Sequence, residues 1–193
     1  MEKSIYNTIR KSIGASLLIA IGNYALLKAG MPFGPFLFSL GLLSICYLKL
    51  DLFTGKCGFL LEDNLSVKYL LTVLAANILS GYLTGYILSF ADTDVYSAAV
   101  VKAGLYENTF PFFIKSVLCG IVMYVAVKLF RKQNIFGILI GVPLFIMSGM
   151  QHSIANIITL GIARSFSASI LLCIAGNFMG AILIYALSCD RNN

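Results

Sequence analysis

Apolar residues run along this chain in long stretches, with polar residues gathered in short clusters between them. Six stretches predict membrane-crossing segments at residues 13–27, 33–53, 67–90, 110–130, 135–162 and 167–188, because about 20 apolar residues cross the ~30 Å of hydrocarbon in a bilayer. Ahead of the first, Ile5, Ile9 and Ile13 recur every fourth residue beside Lys3, Arg10 and Lys11. That spacing predicts that residues 1–11 form an amphipathic segment at the membrane surface.

Two of the six do not read as plain helices. The second runs into Lys49, Asp51, Thr54 and Lys56 beside Gly55 and Gly58, and the fifth holds Pro143 followed by the polar run Ser148 to Asn156. Charged and polar groups are costly in hydrocarbon, and irregular backbone at that depth is tolerated only where protein buries it or where it lines a polar cavity. Both spans are therefore predicted to be broken helices beside a transport path. They are the middle members of two three-span halves, which must have opposite topology. An inverted 3+3 repeat builds a midplane site from half-helix ends, and a helix N-terminus suits an anion. A loose match of Phe38-Ser-Leu-Gly with Phe145-Ile-Met-Ser-Gly is the only likeness between the halves. Three GxxxG pairs, Gly81/Gly85, Gly137/Gly141 and Gly176/Gly180, predict close helix packing.

Composition narrows the class. Of the 193 residues 59% are apolar and 11% charged, with a mean hydropathy of +0.90, so lipid is the solvent for most of the surface and the expected architecture is an all-α membrane protein of one domain, residues 1–193. The net charge of +6 forms no continuous basic patch, which argues against nucleic acid. It is used for orientation instead. With six spans the termini share a side, and Lys3, Arg10, Lys11, Lys68, Lys128, Arg131, Lys132 and Arg191 fall there, against Lys28, Lys102 and Arg164 opposite. The positive-inside rule places both termini in the cytoplasm of a plasma-membrane protein. The longest outer connection, residues 91–109, carries Asp92, Asp94, Lys102 and Glu107.

The five cysteines are an odd, scattered set without metal-ligand spacing, and they read as apolar fillers. No cleaved signal peptide is expected at the charged start of the chain. No metal or cofactor is expected either. Catalysis needs several convergent acids, bases or ligands, whereas His152 is the single histidine and Asp51 the only acid inside a candidate span.

The residues resemble the formate/nitrite transporter family, pentameric channels whose subunits have an aquaporin-like fold. Met31 to Gly34 (MPFG), Phe38 to Leu42 (FSLGL), Asp51 to Gly55 (DLFTG) and Ser148 to Asn156 (SGMQHSIAN) follow the family's order and spacing, and the resemblance covers roughly residues 13–187. It implies a homopentamer in the bilayer that conducts a small monovalent anion. By the same resemblance His152 matches the central pore histidine, Thr54 the threonine of the broken second span, and Asn156 the asparagine after the histidine. Phe38 and Phe145 match an outer aromatic constriction, Leu42 and Leu52 the apolar wall and the cytoplasmic constriction, and Lys102 a lysine of the outer vestibule. Departures are present too. Lys56 and Gly120 stand where relatives carry asparagines, Gln151 replaces a common glutamate before the histidine, and Lys115 has no counterpart.

A bare anion entering a narrow apolar passage meets a barrier of at least ~3 kcal/mol. The offset is expected from a cationic outer vestibule that attracts the anion and from His152, which then donates a hydrogen bond or, through a relay, a proton. The expected substrates are formate, nitrite or hydrosulfide. A pore for a neutral molecule or protonated acid is the alternative, although the paired Asn-Pro-Ala motifs of aquaporins are absent; a non-conducting scaffold would leave the broken spans without a purpose. Lys56 has three available roles: snorkelling to the surface, pairing with Asp51 or Glu62, or facing the inner vestibule. Lys115 is open between the pore, outer snorkelling and a subunit contact.

Overall fold

The computed structural model describes residues 4–106 and 109–189, which leaves Lys3, Glu107 and Arg191 of the charge argument outside the described residues. Every element among the described residues is a helix. In chain order they are α1 (Ile5–Ala29), α2 (Phe33–Tyr47), α3 (Phe53–Lys56), α4 (Val67–Leu88), α5 (Thr93–Ala103), α6 (Phe110–Arg131), α7 (Phe136–Met147), α8 (Ser153–Ile162) and α9 (Ser169–Ser188), with a 3-10 turn at Cys57–Phe59 after α3.

Four of them, α1, α4, α6 and α9, are long and apolar enough to cross a membrane, and α2, α7 and α8 are apolar but shorter. Two differences from the sequence reading concern helix ends. Ile5 to Lys11 are the opening turns of α1, with no break before residue 13, because nothing in the stretch stops a helix. The outer connection contains α5, capped by Asp92, whose carboxylate accepts from the Asp94 and Val95 backbone N–H groups.

The second and fifth apolar runs are interrupted, at residues 48–52 and 148–152. The two interruptions trace the same backbone path. Lys49 and Gly149 both have positive φ (53° and 68°), a region that costs a side chain such as lysine more than it costs glycine. Leu52 and His152 are both extended (φ −105° and −102°) and each precedes a new helix. Leu50 N–H donates to Ile45 O at 3.0 Å and Met150 N–H to Phe145 O at 2.9 Å. Corresponding residues lie one hundred apart in the chain, so Phe145 answers to Ile45 rather than to Phe38 as the sequence match had it.

Glycines let these helices approach. A Cβ on Gly85 would strike the Ile158 backbone of α8, one on Gly180 the Val117 backbone of α6, and one on Gly141 would press on Ala126 of α6. All three predicted GxxxG pairs thus lie at helix crossings, where small residues bring backbones together. The short α8 packs against α4, α5 and α1, and α3 with its 3-10 turn packs against α6 and α9. Each short helix is clasped by a different set of long ones.

Candidate functional site

The interruptions bring the polar residues of the two broken runs face to face. His152, 2% exposed, is the residue before α8, and Thr54, 1% exposed, lies in α3; His152 Nε2 and Thr54 Oγ1 are 2.8 Å apart. The other ring nitrogen, Nδ1, accepts from the Ala155 backbone N–H at 3.1 Å. That bond fixes the tautomer: a neutral imidazole here carries its proton on Nε2 and donates it to Thr54.

Two asparagines that the sequence reading passed over hold these breaks in place. Asn77 of α4 accepts from Phe53 N–H at 2.8 Å and donates to the carbonyls of Ser12 at 2.9 Å and Asp51 at 3.2 Å. Asn177 of α9 accepts from Ser153 N–H at 2.8 Å and donates to the carbonyls of Ser116 and Gln151, both at 2.8 Å. A break in a helix frees backbone groups, and a buried amide satisfies both a donor and acceptors at once. The only sign in the sequence was an amide alone in each apolar run, the kind of residue that rarely sits in hydrocarbon without a task.

Aromatic and aliphatic side chains close around the imidazole. Phe145 stacks on His152 with ring centroids 5.6 Å apart, and Phe38 meets Phe145 edge-on at 6.1 Å. Leu42 and Leu52 are buried and line one end of a cavity of about 790 Å³ that opens beyond them. The same cavity is lined by Lys11, Lys49, Lys56 and Arg131. Lys56 also pairs with the buried Asp51 carboxylate at 3.3 Å, which Tyr69 contacts through its hydroxyl at 2.7 Å. Of the roles open to Lys56 the pairing with Asp51 is made, and the side chain also borders this cavity. Glu62 is engaged elsewhere, by Lys128 and Tyr124.

The remaining predicted residues take different places. Asn156 donates to the Gln151 side chain at 2.8 Å and so braces the residues before His152. Lys102 is in the last turn of α5, the helix that packs against α8. Gly120 stands apart from the cluster. A Cβ there would collide with the Asn177 backbone, so its place is the α6–α9 crossing. Lys115 has an exposed side chain, while its carbonyl accepts from Gln151 N–H at 3.3 Å. Among the described residues no group of histidine, cysteine and acid side chains is arranged to hold a metal ion.

Taken together, the geometry offers a hydrogen-bonding imidazole and hydroxyl inside an apolar collar, with a cation-lined cavity on one side. Two solved structures are similar in fold. One, "FNT family ion channel", has 18% sequence identity and a TM-score of 0.74 over 95% of this chain and 89% of that one. The other, "Pentameric formate channel with formate bound", has 19% identity and a TM-score of 0.74 over 97% and 95%. No curated protein matches the sequence. The sequence model of the family described as formate/nitrite transporter matches residues 1–189, and the chain belongs to that family.

Proposed function

We propose that this protein is a membrane channel for a small monovalent anion of the formate, nitrite or hydrosulfide kind. One observation carries the reading: the 2.8 Å contact between His152 and Thr54, made where two interrupted helices meet, under the Phe38 and Phe145 rings. An anion drawn toward Lys102 passes the aromatic pair, meets the Nε2 proton of His152 and the Thr54 hydroxyl, and leaves past Leu42 and Leu52. The cavity with Lys56, Lys49, Lys11 and Arg131 receives it. The imidazole replaces part of the lost hydration by donating its Nε2–H hydrogen bond, and a proton that enters with the anion from the water outside lets the substrate cross the apolar collar nearly neutral.

The chain acts as one transmembrane channel domain of six crossings in an aquaporin-like arrangement, with α2–α3 and α7–α8 each completing one crossing. An inverted 3+3 repeat accounts for the matching bonds at the two breaks, such as Asn77 to Phe53 and Asn177 to Ser153. Both termini face the cytoplasm, the membrane is the plasma membrane, and α1 begins at its cytoplasmic surface. The assembly is a homopentamer, supported by the pentameric state of the similar formate channel and by the exposed apolar side chains Leu71, Leu79, Leu83, Leu171 and Leu183 on α4 and α9. Nothing in the cluster is arranged for bond-making chemistry, and no enzymatic role is proposed.

The test is flux of formate, nitrite, hydrosulfide and chloride into liposomes carrying the purified protein, compared at two pH values. Fast movement of the weak-acid anions, greater at the lower pH, is expected. Protein-containing liposomes no leakier than empty ones would leave the scaffold reading in its place.

A further inference from the structure

The cavity beyond Leu42 and Leu52 is far larger than a formate ion needs. Its volume of about 790 Å³ falls among sites for drug-sized ligands, about 300–1,000 Å³. Cations reach it from four parts of the chain, Lys11 of α1, Lys49 of the first break, Lys56 of α3 and Arg131 of α6, and among the described residues no acidic side chain lines it. Two of these cations are neutralised, Lys56 by Asp51 and Arg131 by Asp63, whose carboxylate accepts from both ends of the guanidinium at 2.9 and 2.7 Å. Lys11 and Lys49 have no ion-pair partner among the described residues. The Lys11 carbonyl accepts from Asp51 N–H at 3.5 Å, which brings α1 against the break beside Lys49. Two ammonium groups without counter-ions thus share one recess, and like charges held together there favour an anion with more than one charge.

Backbone conformation marks the same place. Lys49 (φ 53°) and Gln133 (φ 63°) both line the cavity, and both hold the left-handed conformation that favours glycine. The matching position in the second break is Gly149, so glycine would serve the turn at residue 49, and lysine stands there at a cost. Residues held in that region gather at ligand clamps.

We propose that this cavity binds a multivalent anion bearing phosphate groups, held by Lys11 and Lys49, which blocks the inner mouth of the pore. Formate loses its single charge by taking one proton. A diphosphate keeps charge after taking one, so the barrier at Leu42 and Leu52 stands and the anion stays in the cavity. This inference rests on the channel reading and adds to it a regulation from the cavity side.

Pyrophosphate is the probe. Binding is read in the full-length protein in detergent as a rise in thermal midpoint. Blockade is read as slower formate uptake into zwitterionic liposomes with pyrophosphate on both faces, against chloride at equal ionic strength. The wild type is expected to show both effects. Lys49→Gly, which suits the backbone, and Lys11→Gln are each expected to raise the half-inhibiting concentration about tenfold, the loss of one charged contact. Each rate is taken relative to the same variant without pyrophosphate. Lys49→Arg, which keeps the charge, is expected to retain the wild-type value. No midpoint rise in the wild type, an equal rise with chloride, or equal sensitivity in wild type and Lys49→Gly overturns the proposal. A midpoint rise with no slowing of uptake overturns it as well. Slowing that requires phosphatidic acid in the membrane overturns it in favour of a lipid headgroup. Wild-type uptake no faster than that of empty liposomes, without pyrophosphate, sinks the channel reading instead, and the two failures are distinct because binding is measured without flux.

Discussion

Lys56 is held from two sides. Its ammonium reaches Asp51 at 3.3 Å and also borders the large cavity, with 22% of its side chain exposed against 1% for Asp51. Replacement by asparagine removes the cation from a buried carboxylate whose Oδ2 has no hydrogen-bond partner. Breaking a fully buried pair costs ~3–5 kcal/mol, and the partial exposure of Lys56 lowers the expectation for Lys56→Asn to about 2 kcal/mol. The thermal midpoint should fall, adding Asp51→Asn should restore most of it, and anion retention in flux measurements should stay weak in both variants. Asn177 invites the complementary change. Asn177→Leu strips partners from Ser153 N–H and from the Ser116 and Gln151 carbonyls, at about 1–3 kcal/mol for each group left unpaired. Lower stability together with slower formate flux is expected, since the backbone that presents His152 is the part released.

Elements register the pattern of the sequence unevenly. The breaks were legible because Lys49 and Asp51, and Gln151 and His152, interrupt apolar runs where a continuous helix would carry charge or amide through lipid. The correspondence between the halves was not legible. It resides in backbone bonds at Leu50 and Met150, and in Asn77 and Asn177, while the side chains at matching positions differ, His152 against Leu52 being the clearest case. The helix α5 escaped notice because its residues are mixed in polarity, and only the Asp92 cap marks its start. That cap sits at a charge centre: Lys28, at the end of α1, reaches Asp92 and Asp94, each at 2.8 Å. The Lys28 ammonium and two backbone N–H groups hold the Asp92 carboxyl down to about 2. A carboxyl depressed on folding contributes stability above its unfolded value, near 3.9, and loses it as pH falls toward the folded value. The stability gap between wild type and Asp92→Asn should thus be constant from pH 8 to about pH 5 and shrink below about pH 4. At the α4–α8 crossing Gly85→Leu should be damaging, because it drives a side chain into the Ile158 backbone of the helix that begins after His152. A loss of about 1–3 kcal/mol or failure to fold is expected, measured by thermal unfolding.

At the scale of the whole molecule, two interrupted helical runs clasped by long helices place an imidazole, a hydroxyl and two phenyl rings at one point inside an apolar bundle. Family membership agrees with that design, and Lys11, Lys49, Lys56 and Arg131 line the cavity beside the collar. The account stands on His152 offsetting the cost of bringing an anion through the collar. The most direct test is the initial rate of formate uptake into liposomes by His152→Phe against wild type across a pH series, with the assembly of the variant verified beforehand. Loss of an offset of ~3 kcal/mol predicts a rate lowered roughly a hundredfold and a flattened pH profile. Uptake by His152→Phe at the wild-type rate, with the wild-type dependence on pH, would contradict it.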